Sequence, residues 1–159
     1  PTAGLHFTDQ IIEKLKNKGI NFYFITLHIG WHSIKILKNE KNVGEEYLEI
    51  SEDTANRLNE EKKKGKKIIA VGTSTTRALE TACKNGELLP YTGYTELFIK
   101  PGYKFKFIDG LVTNFHIPDS THLFLVFAFA GIEIIEKAYK IAIEKKYRFY
   151  SYGDSMLII

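Results

Sequence analysis

The sequence predicts an α/β domain, a mixed sheet with helices packed on both faces. Apolar runs of strand length, NFYFITLHIG, KIIAVG and the terminal MLII, alternate with segments of helical periodicity that open on Thr8, Ser51 or Ser120. Two polar turns, GTSTTR after one strand and TNFHIPDS after another, each open a helix, which is where open α/β sheets hold their ligands.

At 159 residues the chain fits one α/β domain covering residues 1–159, with no internal repeat or low-complexity linker. Its 44% apolar and 26% charged residues exclude the disordered class. The 22 basic and 19 acidic residues leave a net charge of +3, which permits an RNA partner without requiring one. A single cysteine, Cys83, excludes an internal disulfide framework and a cysteine-only metal site, so a reducing cytoplasm is the expected location. The most apolar run, Leu123 to Ile132, is about ten residues against the roughly 20 that cross a bilayer, and no membrane anchor is expected. The chain opens on Pro1 and its first motif begins at once, so it reads as the C-terminal part of a longer protein.

In order, PTAGLHFT is a turn leading to Thr8, which caps the helix DQIIEKLKNK ending at Gly19. Gly4 is expected to serve the turn, Leu5 and Phe7 to pack, and Thr2 and His6 are placed to line a ligand site. NFYFITLHIG is expected as a strand buried on both faces, central in the sheet. Ser51 caps EDTANRLNEEKKKG, whose lysine-rich end, Lys62 to Lys67, suits either a solvated helix terminus or phosphate contacts. KIIAVG delivers Gly72 into TSTTRALETACKNG, a strand, a glycine, four hydroxyl residues and a helix start whose free N–H groups suit a polar ligand. The spacing is not that of a Walker loop. Arg77 and Glu80 are three apart and can pair on one helix face, or Arg77 can turn toward a carboxylate or phosphate. TELFIKPGYKFKFIDG reads as a strand, a Pro-Gly turn and a return to Asp109.

The stretch 107–120, FIDGLVTNFHIPDS, organises the rest. Leu111 and Val112 start a short strand that carries Thr113, Asn114 and His116 to its end before Pro118 stops it. Asp119 and Ser120 cap the apolar helix THLFLVFAFAG, which passes through Gly131 into the amphipathic IEIIEKAYKIAIEKK. Asn114 and Asp119 either close a turn or border a site. In YRFYSYGDSMLII, Ser151, Gly153 and Asp154 form a turn before the last strand, with Gly153 expected to supply an unusual backbone angle. Tyr147, Phe149, Tyr150 and Tyr152 are read as core, with base stacking as the alternative use.

These motifs resemble, in the same order, those of the S-adenosylmethionine:tRNA ribosyltransferase-isomerase family of queuosine biosynthesis. PTAGLHFT is matched without change, TNFHIPDS is similar to TNFHLPxST, VGTSTTRALE to VGTTSVRALE, and YRFYSYGDSMLI to YRFxSYGDAMLI. The family's PGYxF and AFAG stand at 101–105 and 128–131. Two stretches depart. His32, Ser33 and Ile34 stand where the family has Gly-Thr-Phe, and Gly44 and Glu45 where it has His-Ser.

The resemblance implies transfer and isomerisation of the ribosyl group of S-adenosylmethionine to 7-aminomethyl-7-deazaguanine at the tRNA wobble position. Epoxyqueuosine would form with release of adenine and methionine. It also implies a smaller β-barrel domain outside this chain, no cofactor beyond the co-substrate, no metal, and action as a monomer. Protons beside a sulfonium are acidified, and the departing adenine needs a proton donor. His116 and Asp109 are the candidates for proton transfer, and Asp154 for the sulfonium or sugar hydroxyls. Thr73, Arg77, Asn114 and Gly153 are candidates for binding the donor's polar groups, and Arg148 for tRNA or donor contact. Two other readings stay open, a nucleotide-binding α/β module of another class and an inactive homologue.

Overall fold

The computed structural model describes residues 1–29 and 44–159. Side-chain oxygens within one turn of the backbone they bond start three helices: Thr8 accepts from Ile11 N–H, Ser51 from Thr54 N–H and Ser120 from Leu123 N–H. These caps open α1 (Asp9–Lys16), α2 (Glu52–Lys63) and α4 (Thr121–Ala130). The remaining helices are α3 (Thr73–Ala82), entered through Gly72, and α5 (Ile132–Glu144), entered through Gly131. A short 3-10 turn, Thr2–His6, precedes α1.

The expected mixed sheet is built from β3 (Ile69–Val71), β7 (Gly110–Asn114) and β8 (Ser155–Ile158), with β7 in the middle. β3 runs parallel to β7 and β8 antiparallel to it. A second, antiparallel sheet has the order β1 (Thr26–His28), β2 (Glu46–Ile50), β6 (Tyr91–Thr95), and a small hairpin joins β4 (Cys83–Lys84) to β5 (Glu87–Leu88). The core lies among Leu48, Ile50, Leu88, Ile99, Phe107 and Leu111, each at most 2% exposed.

Three expectations change. Among the described residues NFYFITLHIG is not a central strand: only Thr26–His28 pairs, with β2 on one side, and Phe24 is 76% exposed. Leu27 docks on the core from β1, while Tyr23 and Ile25 dock there, and Phe22 lies edge-on to Phe7, from irregular backbone; an apolar run does not by itself specify a ladder. TELFIK is not a strand beyond Thr95. The segment after the Pro101–Gly102 turn is held by the buried Glu80 carboxylate, which accepts from Tyr103 Oη and from the N–H groups of Lys106, Phe107 and Ile108. Leu5, expected to pack, is 66% exposed.

Among the described residues no helix is long and apolar enough to cross a membrane. The lysine-rich end of α2 is partly spoken for: Lys62 reaches Phe107 O and Asp109, while Lys64 and Lys66 pair with Glu61.

Candidate functional site

Parallel pairing of Val71 with Val112 brings the carboxyl ends of β3 and β7 together, and pairing of Asn114 with Ser155 sets the start of β8 at the same end. The Gly72 N–H donates to Val112 O at 2.8 Å, and Thr73 begins α3 there. Gly72 has φ +97, and a Cβ on it would lie 2.5 Å from the Pro1 Cβ, so only glycine lets the N-terminal turn lie on this strand end. One end of the sheet therefore gathers Thr73, Asn114, His116 and Asp154, together with the turn that carries His6.

Asp109 is not among them. It stands before β7, four residues along the strand, or roughly 13 Å, from Thr113, which holds the His116 ring. Its carboxylate accepts the Ile68 N–H at 2.8 Å and lies 3.6 Å from Lys62 Nζ. A role beside His116 in proton transfer is excluded by that separation; Asp109 closes the far end of the β3–β7 pair.

Successive strand residues face opposite sides, so Thr113 and Asn114 serve two polar clusters. On the Thr113 side, its Oγ1 lies 2.8 Å from His116 Nε2, in a hydrogen bond whose direction follows the imidazole tautomer. The His116 N–H donates to Tyr139 Oη at 2.8 Å. His122, in the first turn of α4, stacks on His116 with ring centroids 5.2 Å apart. Burial pushes the His116 imidazole down to about 3, and the neighbouring His122 adds to the shift. Burial also lowers His122. Both rings are thus neutral near pH 7, and in this environment His116 is a weak base.

Arg77 does not pair with Glu80. Its Nη1 lies 2.9 Å from the buried Glu46 carboxylate, and it donates to the carbonyls of Leu97, Thr95 and Gly44. With its guanidinium so committed and 8% exposed, Arg77 braces α3 against the antiparallel sheet and is not free to bind a donor carboxylate. The replacement of His-Ser by Gly44 and Glu45 leaves this pair intact, because only the Gly44 carbonyl takes part. The departure at His32 to Ile34 lies outside the described residues.

On the Asn114 side, the amide Nδ2 donates to Tyr150 O at 2.9 Å and Ser151 O at 3.4 Å, tying the loop 148–154 to β7. In that loop Asp154 accepts from Arg148 N–H at 2.7 Å and from Arg148 Nη2 at 3.1 Å. These bonds hold the Asp154 carboxyl below the usual range, with His6 contributing last, and raise Arg148. Gly153 is required for space and not for an unusual angle: a Cβ would come within 2.6 Å of the Phe149 carbonyl carbon, while the positive φ of this loop, 71°, falls on Tyr150. The aromatic cluster divides. Tyr147 and Phe149 pack on Phe115, while Tyr150 and Tyr152 are 60% and 87% exposed.

Sequence reasoning missed His122, which nothing in its spacing from His116 announces. It weighed His6 without choosing it, and the PTAGLH motif was the available signal. His6 Nε2 and Asn114 Oδ1 are buried and have no hydrogen-bond partner among the described residues.

Residues 1–158 match the profile described as Queuosine biosynthesis protein. The chain is 52% identical to the S-adenosylmethionine:tRNA ribosyltransferase-isomerase of Halothermothrix orenii and 52% identical to that of Aquifex aeolicus, each alignment covering 100% of this chain and 48% of the relative. The crystal structure of S-adenosylmethionine tRNA ribosyltransferase from Thermotoga maritima superimposes with a TM-score of 0.85 at 46% identity, over 99% of this chain and 51% of that one. The chain thus spans about half the length of the curated relatives it matches.

Proposed function

The chain belongs to the queuosine biosynthesis protein family, and from that premise we propose that its protein transfers and isomerises the ribosyl group of S-adenosylmethionine onto 7-aminomethyl-7-deazaguanine at the tRNA wobble position. Epoxyqueuosine forms, and adenine and methionine are released. The observation that carries this reading is the neutral His116 imidazole, held by Thr113 Oγ1 at the end of β7, with the His116 backbone N–H donating to the Tyr139 hydroxyl.

His116 takes the proton from the sugar carbon next to the sulfonium, the most acidic C–H of the donor. With its imidazole pushed down to about 3, it carries no proton at neutral pH but is a weak base, so the transfer requires the bound sulfonium donor to acidify that C–H and the site to raise the ring's basicity. Adenine then leaves with the proton that His116 took, the amine of the modified base attacks the sugar, and an alkoxide displaces methionine to close the epoxide. Thr73 Oγ1 and the Asn114 amide oxygen bind polar groups of the donor, Asp154 offsets positive charge, and Arg148 with the exposed Tyr150 and Tyr152 meets the tRNA.

The reading calls for no cofactor beyond the co-substrate, and for a monomer working in the cytoplasm. The test is adenine release by the complete protein supplied with S-adenosylmethionine and tRNA carrying the aminomethyl base. Adenine released only when both are present is the expected result. No release with a well-folded protein refutes the activity and leaves an inactive homologue.

A further inference from the structure

The carboxyl end of α2, the start of β3 and the approach to β7 meet at the Lys62 ammonium. It donates to Phe107 O and lies 3.6 Å from the Asp109 carboxylate, which in turn accepts the Ile68 N–H at 2.8 Å. Three segments are thus pinned at one point. Each carries an exposed lysine as the chain neighbour of a pinned residue: Lys63 beside Lys62, Lys67 beside Ile68 and Lys106 beside Phe107. Consecutive Cα atoms are about 3.8 Å apart, so the three side chains leave the backbone at one corner of the surface.

That corner carries an excess of positive charge. Asp109 answers Lys62, and Glu61 answers both Lys64 and Lys66. Among the described residues no carboxylate pairs with Lys63, Lys67 or Lys106; the Lys106 Nζ lies over the Tyr103 ring, 6.0 Å from its centroid. A helix C-terminus favours lysines for the sake of its own carbonyls, but Lys67 lies beyond α2 and Lys106 comes from another segment, so that effect does not account for the corner. The ammonium groups stand on separate segments with no helix N-terminus among them, which suits successive charges along a polyanion better than one small anion.

We propose that Lys63, Lys67 and Lys106 bind the sugar–phosphate backbone of the tRNA. The assignment rests on the function proposed above, which gives the protein a polyanionic substrate. Asp109 stands roughly 13 Å along β7 from Thr113, so these lysines lie toward the opposite end of the strand from the candidate site and meet phosphates away from the reacting nucleotide. Lysine is a point charge on a flexible stem, and contacts of this kind carry affinity but no base sequence. They strengthen tRNA binding without touching the chemical step.

Fluorescence anisotropy of the complete protein with an unmodified tRNA transcript, over a range of salt concentrations, tests this without requiring turnover. The triple variant Lys63→Gln, Lys67→Gln, Lys106→Gln should bind about tenfold or more weakly, and the slope of log affinity against log salt should be shallower by about two units. Lys→Arg at the same three positions keeps the charge and should bind like wild type. Removing the same charge elsewhere, with Lys14→Gln, Lys16→Gln, Lys18→Gln at the exposed end of α1, should cost far less. With the modified tRNA, the first variant should raise KM for tRNA and leave kcat and KM for S-adenosylmethionine unchanged. Wild-type affinity and slope in that variant, an equal loss in the α1 variant, or no tRNA binding by wild type overturns the assignment. Adenine release by wild type is scored separately, so the activity can stand while the lysine contact falls, and the binding data judge the lysines even if no adenine appears.

Discussion

His122 lies on His116 with ring centroids 5.2 Å apart and planes 22° from parallel, two imidazoles sharing one partly buried place beside Thr113. Burial lowers both, His116 to about 3. An unfolded histidine titrates near 6.5, so between these values the unfolded chain binds more protons than the folded one. The stability these rings contribute is therefore complete above about pH 6.5 and is lost as pH falls toward 3. Urea unfolding at pH 7.5 and 5.0 should show a lower midpoint at 5.0, and the double variant His116→Gln, His122→Gln should show a smaller difference. Equal wild-type midpoints at the two pH values would count against neutral, buried rings.

Thr113 is the hydroxyl that holds His116 Nε2. Thr113→Val keeps the shape and removes the bond, so turnover should fall about tenfold while KM for S-adenosylmethionine holds. Removing the base itself, His116→Ala, should cost about a hundredfold or more. Single-turnover adenine release measures both. A His116→Ala protein with wild-type turnover would remove imidazole from the mechanism.

Arg77 and Glu46 form a buried ion pair 2.9 Å apart between α3 and β2. Arg77→Met leaves the Glu46 charge buried without its guanidinium and should destabilise the protein by about 3–5 kcal/mol. Adding Glu46→Leu to that variant should restore part of the loss, because the buried charge goes with it. Chemical denaturation of the single and double variants reads the coupling. Additive losses would show that the two residues act independently.

Gly153 packs against backbone that cannot yield, with the Phe149 carbonyl carbon 2.6 Å from any Cβ placed there. Gly153→Ala should displace the loop that returns Asp154 N–H to Arg148 O at 2.8 Å and cost about 1–3 kcal/mol. Gly4→Ala is the control, since a Cβ at Gly4 meets nothing within 4 Å. Thermal unfolding of the pair should lower Tm for the first and leave the second near wild type. Equal values would mean that the loop accommodates a side chain.

The helix starts at Thr8, Ser51 and Ser120 were legible because each cap is a bond spanning three residues, a distance at which spacing dictates geometry. The strand that carries Thr113 to His116, the turn at Pro101–Gly102 and the gathering of Thr73, Asn114, His116 and Asp154 at one end of a sheet were legible for a related reason. A strand that runs into a polar turn and then a helix delivers those side chains to its carboxyl end.

Sequence alone thus determined the α/β class and the family, and it pointed to the end of β7 as the candidate site. Tertiary structure decided which groups meet. It gave Arg77 to Glu46 and Glu80 to the N–H groups of 106–108, placed Asp109 at the wrong end of β7 to work with His116, and brought in His6 and His122. Those partners lie far apart in the chain, where no short-range spacing rule constrains them. Strand order and packing alone set whether two such side chains lie within bonding distance, and these depend on the whole fold at once.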